Sequence, residues 1–230
     1  MIVAGAFGGA VRFMVDNPGF LATKALEQVE LSAAALGIAL AVALPLGVVL
    51  GHLHRGSALA IGSSIVGRAL PILVLIGVFL TVLGIGFVNN MVALAVLGTG
   101  PILTNSYEAV DGVERDVVEA ARGMGMTPLQ ILRAVELPLA LPLLFTGMRV
   151  AAVTIVATAP VASVAGGGGL GDIIVNQASY QLSGVLAASA CVMALSTAVY
   201  LGLTGLQFAV TPRVLRRTSL GEVPSRKEQL

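Results

Sequence analysis

Residues 31–53 form a run of 23 residues without a single Lys, Arg, Asp or Glu. A helix of about 20 apolar residues crosses the hydrocarbon core of a bilayer, so this run is a membrane span. The rest of the chain agrees. Of its 230 residues, 57% are hydrophobic and 11% charged, and its mean hydropathy is +0.96. A soluble domain carries about 25% charged residues. So few charges cannot cover a water-facing surface, which excludes a soluble globular enzyme. Disorder, which needs low hydrophobicity, is excluded too. A β-barrel would alternate apolar and polar residues, and these runs do not alternate. The fold class expected is all-α and polytopic.

Four further runs read as spans: residues 58–83, interrupted by Arg68 and Pro71; 87–103, with Asn89 and Asn90 marking the preceding turn; 142–165, containing Arg149 and Pro160; and 185–210. Residues 1–11 are apolar but too short to cross. They read as an interfacial helix that ends at Asp16, Asn17, Pro18 and Gly19, and no signal peptide is expected. Basic residues favour the cytoplasmic side. Five spans put Arg12 and Lys24 on one side and nine of the remaining Lys and Arg on the other, among them Arg55, Arg115, Arg122, Arg133, Arg213 and Lys227. The nine mark the cytoplasmic side of a cell membrane, with the N-terminus outside and the C-terminus inside. The organisation expected is an outer or interfacial segment (1–28), a transmembrane domain (29–212) containing a cytoplasmic loop (107–138), and a polar tail (213–230).

Six of the 12 acids lie in that loop: Glu108, Asp111, Glu114, Asp116, Glu119 and Glu136. Val113, Val117, Ala120, Ala121 and Met124 recur at helical spacing, with Arg115, Glu119 and Arg122 on another stripe. Gly123 and Gly125 break this helix. Thr127, Pro128 and Gln130 then give an N-cap, an N1 proline and a capping box, with Met126 and Ile131 placed for a hydrophobic staple. The second helix is expected to end before Pro138. An amphipathic helix pair of this kind packs either on its own spans or on a cytoplasmic partner.

Glu119-Ala120-Ala121, Gly125 after three residues, and Val135-Glu136-Leu137-Pro138 after nine more resemble the EAA loop of ABC importer permeases, with Val135 in place of the usual isoleucine. The resemblance implies a type I importer fold of the methionine-permease kind, with about five core transmembrane helices. It implies that the loop docks in a groove of an ATP-binding subunit. Glu119, Ala120, Ala121, Gly123, Met124, Gly125, Thr127, Leu137 and Pro138 are the coupling residues; Glu119 makes polar contacts and Gly125 permits the turn. Segments such as Gly67-Arg68-Ala69-Leu70-Pro71 and Pro101-Ile102-Leu103-Thr104-Asn105 are similar to the glycine betaine/choline/proline branch, the osmoprotectant permeases. The partners implied are the ATPase, which binds ATP and Mg, a second permease subunit, identical or homologous, and an extracytoplasmic binding protein. This chain itself is expected to hold no cofactor and no metal, and to be no enzyme.

Other motifs carry no chemistry. Gly166, Gly168 and Gly171 satisfy G-x-G-x-x-G, but a membrane span rather than a βαβ unit surrounds them. There is no P-loop, and Leu182-Ser183-Gly184 lacks the rest of an ATPase signature. His52 and His54 read as interfacial, Cys191 as a packing residue, and no cluster suggests catalysis. Net charge +1 gives no basic face for nucleic acid, and with no Trp and 4% aromatics the chain cannot by itself build an aromatic cage. Candidate pathway residues are Arg68, Pro71, Thr104, Asn105 and Arg149. Each arginine reads either as snorkelling at an interface or as meeting the carboxylate of a betaine-like zwitterion. Thr104 and Asn105 read as helix caps or gate residues. The alternatives are an importer for methionine or another amino acid, and an ion-coupled secondary transporter, which would need midplane acids that the sequence does not display.

Overall fold

A computed structural model of the chain describes residues 2–210, apart from the side chains of residues 2–6, 66, 68 and 69. The tail expected at 213–230, with its basic residues, lies outside the described residues. The described chain is helical: α1 (Ile2–Asp16), α2 (Pro18–His52), α3 (Ser57–Ala69), α4 (Ile72–Leu83), α5 (Phe87–Asp111), α6 (Arg115–Gly123), α7 (Pro128–Ile131), α8 (Leu137–Thr158), α9 (Gly171–Val175) and α10 (Gln177–Val210). A π-helical segment, Leu132–Glu136, joins α7 to α8, and a 3-10 segment, Ala159–Ala165, extends α8.

Four stretches are long and apolar enough to cross a membrane: Pro18–His52, Phe87–Asp111, Pro128–Ala165 and Gln177–Val210. The fifth expected span, 58–83, is broken. Pro71 has no N–H and forces its predecessor away from helical angles. It sits extended at φ −61°, ψ 132°, between helices of 13 and 12 residues. At 1.5 Å per residue, each half reaches about 20 Å, too short to cross alone. As expected, Asn17 ends α1, and Pro18 starts α2.

α2 and α5 run parallel and pack closely, with α8 and α3 against the other faces of α5. Leu31, Ala35, Ala39, Ala43, Gly47 and Gly51 are all buried and spaced by four. They form one small-residue ridge, which lets two backbones approach. A Cβ at Gly51 would lie 2.7 Å from the Tyr107 carbonyl oxygen. A Cβ at Gly147 of α8 would lie 2.6 Å from Cβ of Asn105 in α5. The sequence displays this four-residue period, but a count of apolar residues does not reveal it.

Three expectations are corrected. The third span does not stop near Leu103; α5 continues to Asp111. Thr104 and Asn105 are therefore mid-helix residues, not caps. The turn before α5 is made by Gly84 and Gly86, at φ +75° and +132°, whereas Asn89 and Asn90 lie buried in the first turn of the helix. The second loop helix does not end before Pro138, because helix runs on through Pro128–Ala165. The π segment explains this. The Leu137 N–H bonds the Leu132 carbonyl, five residues back, so the missing N–H of Pro138 falls where the hydrogen-bond ladder changes register.

Candidate functional site

At one end of the bundle, α6 and α7 form a helix–turn–helix. The turn is a complete Schellman motif. Gly125 N–H bonds Arg122 O at 3.0 Å, Met126 N–H bonds Ala121 O at 3.3 Å, and Gly125 takes φ +84°. Gly125 is the residue that permits the reversal, because a side chain there would be strained. The expected capping box is present: Thr127 N–H bonds Gln130 Oε1 at 2.8 Å, and Gln130 N–H reaches back to Thr127 Oγ1.

The loop has two faces. Val113, Val118, Ala121 and Ile131 are buried together, with Met126 and Val135 against them. The Met126–Ile131 staple is thus in place, and Ala121 belongs to the inner face. The outer face presents Val117, Glu119, Ala120, Arg122, Gly123, Met124 and Thr127. Met124 is 76% exposed and Leu129 53%. Burying apolar side chains is worth about 25 cal/mol per Å², so this mixed apolar and charged face is suited to a protein partner. Glu119 and Arg122 have no ion-pair partner among the described residues. Leu137 packs with Ala109, Val110, Ala140 and Leu144, which roots the loop in α5 and α8; Pro138 lies in the first turn of α8.

Two histidine–acid pairs, unread in the sequence, sit just behind the loop. His52 Nδ1 lies 2.6 Å from Glu136 Oε2, and His54 Nδ1 lies 2.7 Å from Asp111 Oδ1. Each acid is distant in sequence from its histidine, so no local spacing marks either pair. Among the described residues, no group of three or more His, Cys, Asp or Glu could hold a metal.

A polar clasp holds the opposite end. Lys24 Nζ lies 2.7 Å from Asp172 Oδ2 and 2.9 Å from Glu27 Oε2. Glu27 Oε2 also accepts the Gly169 N–H at 2.9 Å. The run Gly166–Gly169 is a tight turn after the 3-10 segment, with positive φ at Gly166, Gly168 and Gly169. It folds without any strand among the described residues, so it is no dinucleotide fingerprint.

The pathway candidates do not converge into one site within the described chain. Thr104 Oγ1 donates to Ala60 O at 2.7 Å, tying α5 to α3. Asn105 donates to Pro101 O at 2.8 Å and packs where α8 carries Gly147. Arg149 turns toward α10, donating to Thr204 Oγ1 at 2.9 Å with its guanidinium 5.2 Å from the Tyr200 ring centroid. The backbone puts Arg68 in the last turn of α3, beside the break at Pro71; its side chain is outside the described residues. Cys191 is a free thiol packed beside Leu21, Leu170, Ile173 and Ala188, as expected of a packing residue.

Bundle and loop together define a polytopic membrane transport component. The chain belongs to the family of binding-protein-dependent transport system inner membrane components, which it matches over residues 43–216. Its relatives include the choline transport system permease protein OpuBB of Bacillus subtilis, 35% identical over 90% of this chain and 96% of that one. The osmoprotectant import permease protein OsmW of Salmonella typhimurium is 32% identical over 90% of this chain and 99% of that one. Among solved structures, the MetNI methionine ABC transporter in inward-facing conformation aligns with a TM-score of 0.73 at 23% identity, over 84% of this chain and 97% of that chain. This establishes the methionine-permease fold expected from the resemblance. As a permease component, the chain is not an enzyme by itself.

Proposed function

We propose that this chain is the permease subunit of an ABC importer for an osmoprotectant: glycine betaine, choline or a similar compound. ATP and Mg are held by a separate ATPase chain docked on the outer face of α6, the Gly125 turn and α7. The observation that carries the docking is that face itself. Met124, Leu129 and Val117 stand out beside Glu119 and Arg122, while the inner face is already buried in the protein. The substrate class rests on relatives above 30% identity whose names specify choline, glycine betaine, carnitine or osmoprotectants. A methionine or other amino-acid substrate has less support, because the amino-acid transporters among the structural neighbours are 18–24% identical. In this reading a second permease subunit completes the path, an extracytoplasmic binding protein delivers the solute, and the loop end faces the cytoplasm. Arg68 and Pro71, at the break between α3 and α4, line the path. Thr104, Asn105 and Arg149 act mainly through the intramolecular partners described above.

The test is ATP hydrolysis and uptake in proteoliposomes containing this chain and its genomic neighbours. Binding protein loaded with glycine betaine or choline is expected to stimulate both. Stimulation only by loaded amino-acid binding protein would overturn the substrate class. Glu119→Lys is expected to insert normally but to lose the ATPase on purification, with uptake down about tenfold or more, since like-charge juxtaposition at an interface costs several kcal/mol. Normal co-purification and uptake in that variant would remove Glu119 from the docking face.

A further inference from the structure

Glu136 is a carboxylate only 1% exposed. A buried charge of this kind is tolerated only with a partner, and it has one, His52 at 2.6 Å. In this contact the Nδ1–H of the His52 ring donates and the carboxylate oxygen accepts. Both residues stand at mechanically special places. Glu136 is the last residue of the π segment Leu132–Glu136, which lies between the docking face and α8. This segment is the direct covalent path from α7 to α8. π-helical turns are rare and strained and recur at functional sites. His52 is the last residue of α2, the helix whose small-residue ridge packs on α5.

The far ends of the same two elements are also joined. Lys24 and Glu27 of α2 hold Gly169 and Asp172, just beyond the 3-10 extension of α8. His52 and Lys24 stand 28 positions apart on α2, or about 42 Å of helix. Next to the second tie, Gln28 Nε2 of α2 donates to the Val156 carbonyl of α8 at 3.0 Å, so the two helices also touch directly there. α2 and the antiparallel stretch Pro128–Ala165 are thus two long sides of a frame pinned at both ends.

We propose that Glu136 is a positioning residue of the transport cycle. Through His52 it makes α2 follow the docking loop, with the π segment as the joint. The proposal rests on the reading of the loop as the ATPase dock. Without the pair, the loop would still dock, but its movement would be taken up within the π turn instead of being passed to α2.

The experiment uses the reconstituted complex with wild type, His52→Ala, Glu136→Ala, the double alanine variant and Glu136→Gln. ATPase co-purification, basal hydrolysis, stimulated hydrolysis and solute taken up per ATP are measured. Basal hydrolysis and co-purification are expected to hold in all variants. Uptake per ATP is expected to fall roughly tenfold in each single alanine variant, the size expected when a buried charged group loses its hydrogen-bond partner. The double variant is expected to be no worse than either single one, as for two residues acting through one bond. Glu136→Gln, which still accepts from His52, should recover most of the coupling. Losses that add, or an unchanged uptake per ATP, overturn the joint while leaving the dock intact. If Glu136→Ala fails to assemble, His52→Ala with unchanged coupling overturns it equally. Wild type that fails to retain the ATPase overturns the dock, and the joint with it.

Discussion

Arg149 shows how a single charge is kept inside the bilayer. A guanidinium at that depth is costly unless it faces protein or water. Here Thr204, the more distant Thr146 and the Tyr200 ring share it. Lysine cannot reproduce a planar fork that donates to two hydroxyls while stacking on an aromatic face. Arg149→Lys is therefore expected to destabilise the chain by about 1–2 kcal/mol, read as a lowered unfolding temperature in detergent. A loss of uptake with unchanged unfolding would favour the pathway role instead. The sequence gives the depth of Arg149 through its distance from Pro138, but Tyr200 and Thr204 lie half a hundred residues further on. The same limit hid the acid partners of His52 and His54. Local signals, by contrast, were fully legible: the capping box at Thr127, the staple, and the glycine that reverses the chain.

At the level of elements, α2 supplies a matched pair of glycines. Gly51 meets the Tyr107 carbonyl and Val110, while Gly37 has nothing within 4 Å. Gly37→Ala is expected to be neutral or to stabilise by up to about 1 kcal/mol through helix propensity. Gly51→Ala is expected to destabilise by about 1–3 kcal/mol, because backbone rather than a flexible side chain must give way. Thermal unfolding of the two variants side by side decides this; equal shifts would mean that the α2–α5 contact is not close-packed. Element ends were read less well than element existence. Apolar runs mark hydrocarbon, not helix, and α5 extends to Asp111 through the polar residues of the water interface. Pro138 looked like a terminator because a proline normally breaks an α ladder; the five-residue spacing of the preceding turn accommodates it.

For the whole molecule, the order of crossings was legible and the assembly was not. Charge counting predicts that the loop faces the cytoplasm. With Cys191→Ser as background and the chain expressed without its ATPase, Met124→Cys is expected to react with a membrane-impermeant maleimide only after cells are opened. Ser179→Cys, on the opposite end, is expected to react in intact cells. The reverse pattern would invert the topology. The break at Pro71 carries a consequence of a different kind. The last turn of an α-helix leaves four carbonyl groups without helical donors, and those of α3 end halfway along the crossing. Acyl chains offer no hydrogen bonds, so irregular backbone does not face lipid at that depth. Leu70 and Pro71 are exposed on the isolated chain. In the bilayer that flank must therefore be sheltered by another subunit or wetted by a column of water, and the lipid annulus of the working transporter is interrupted there.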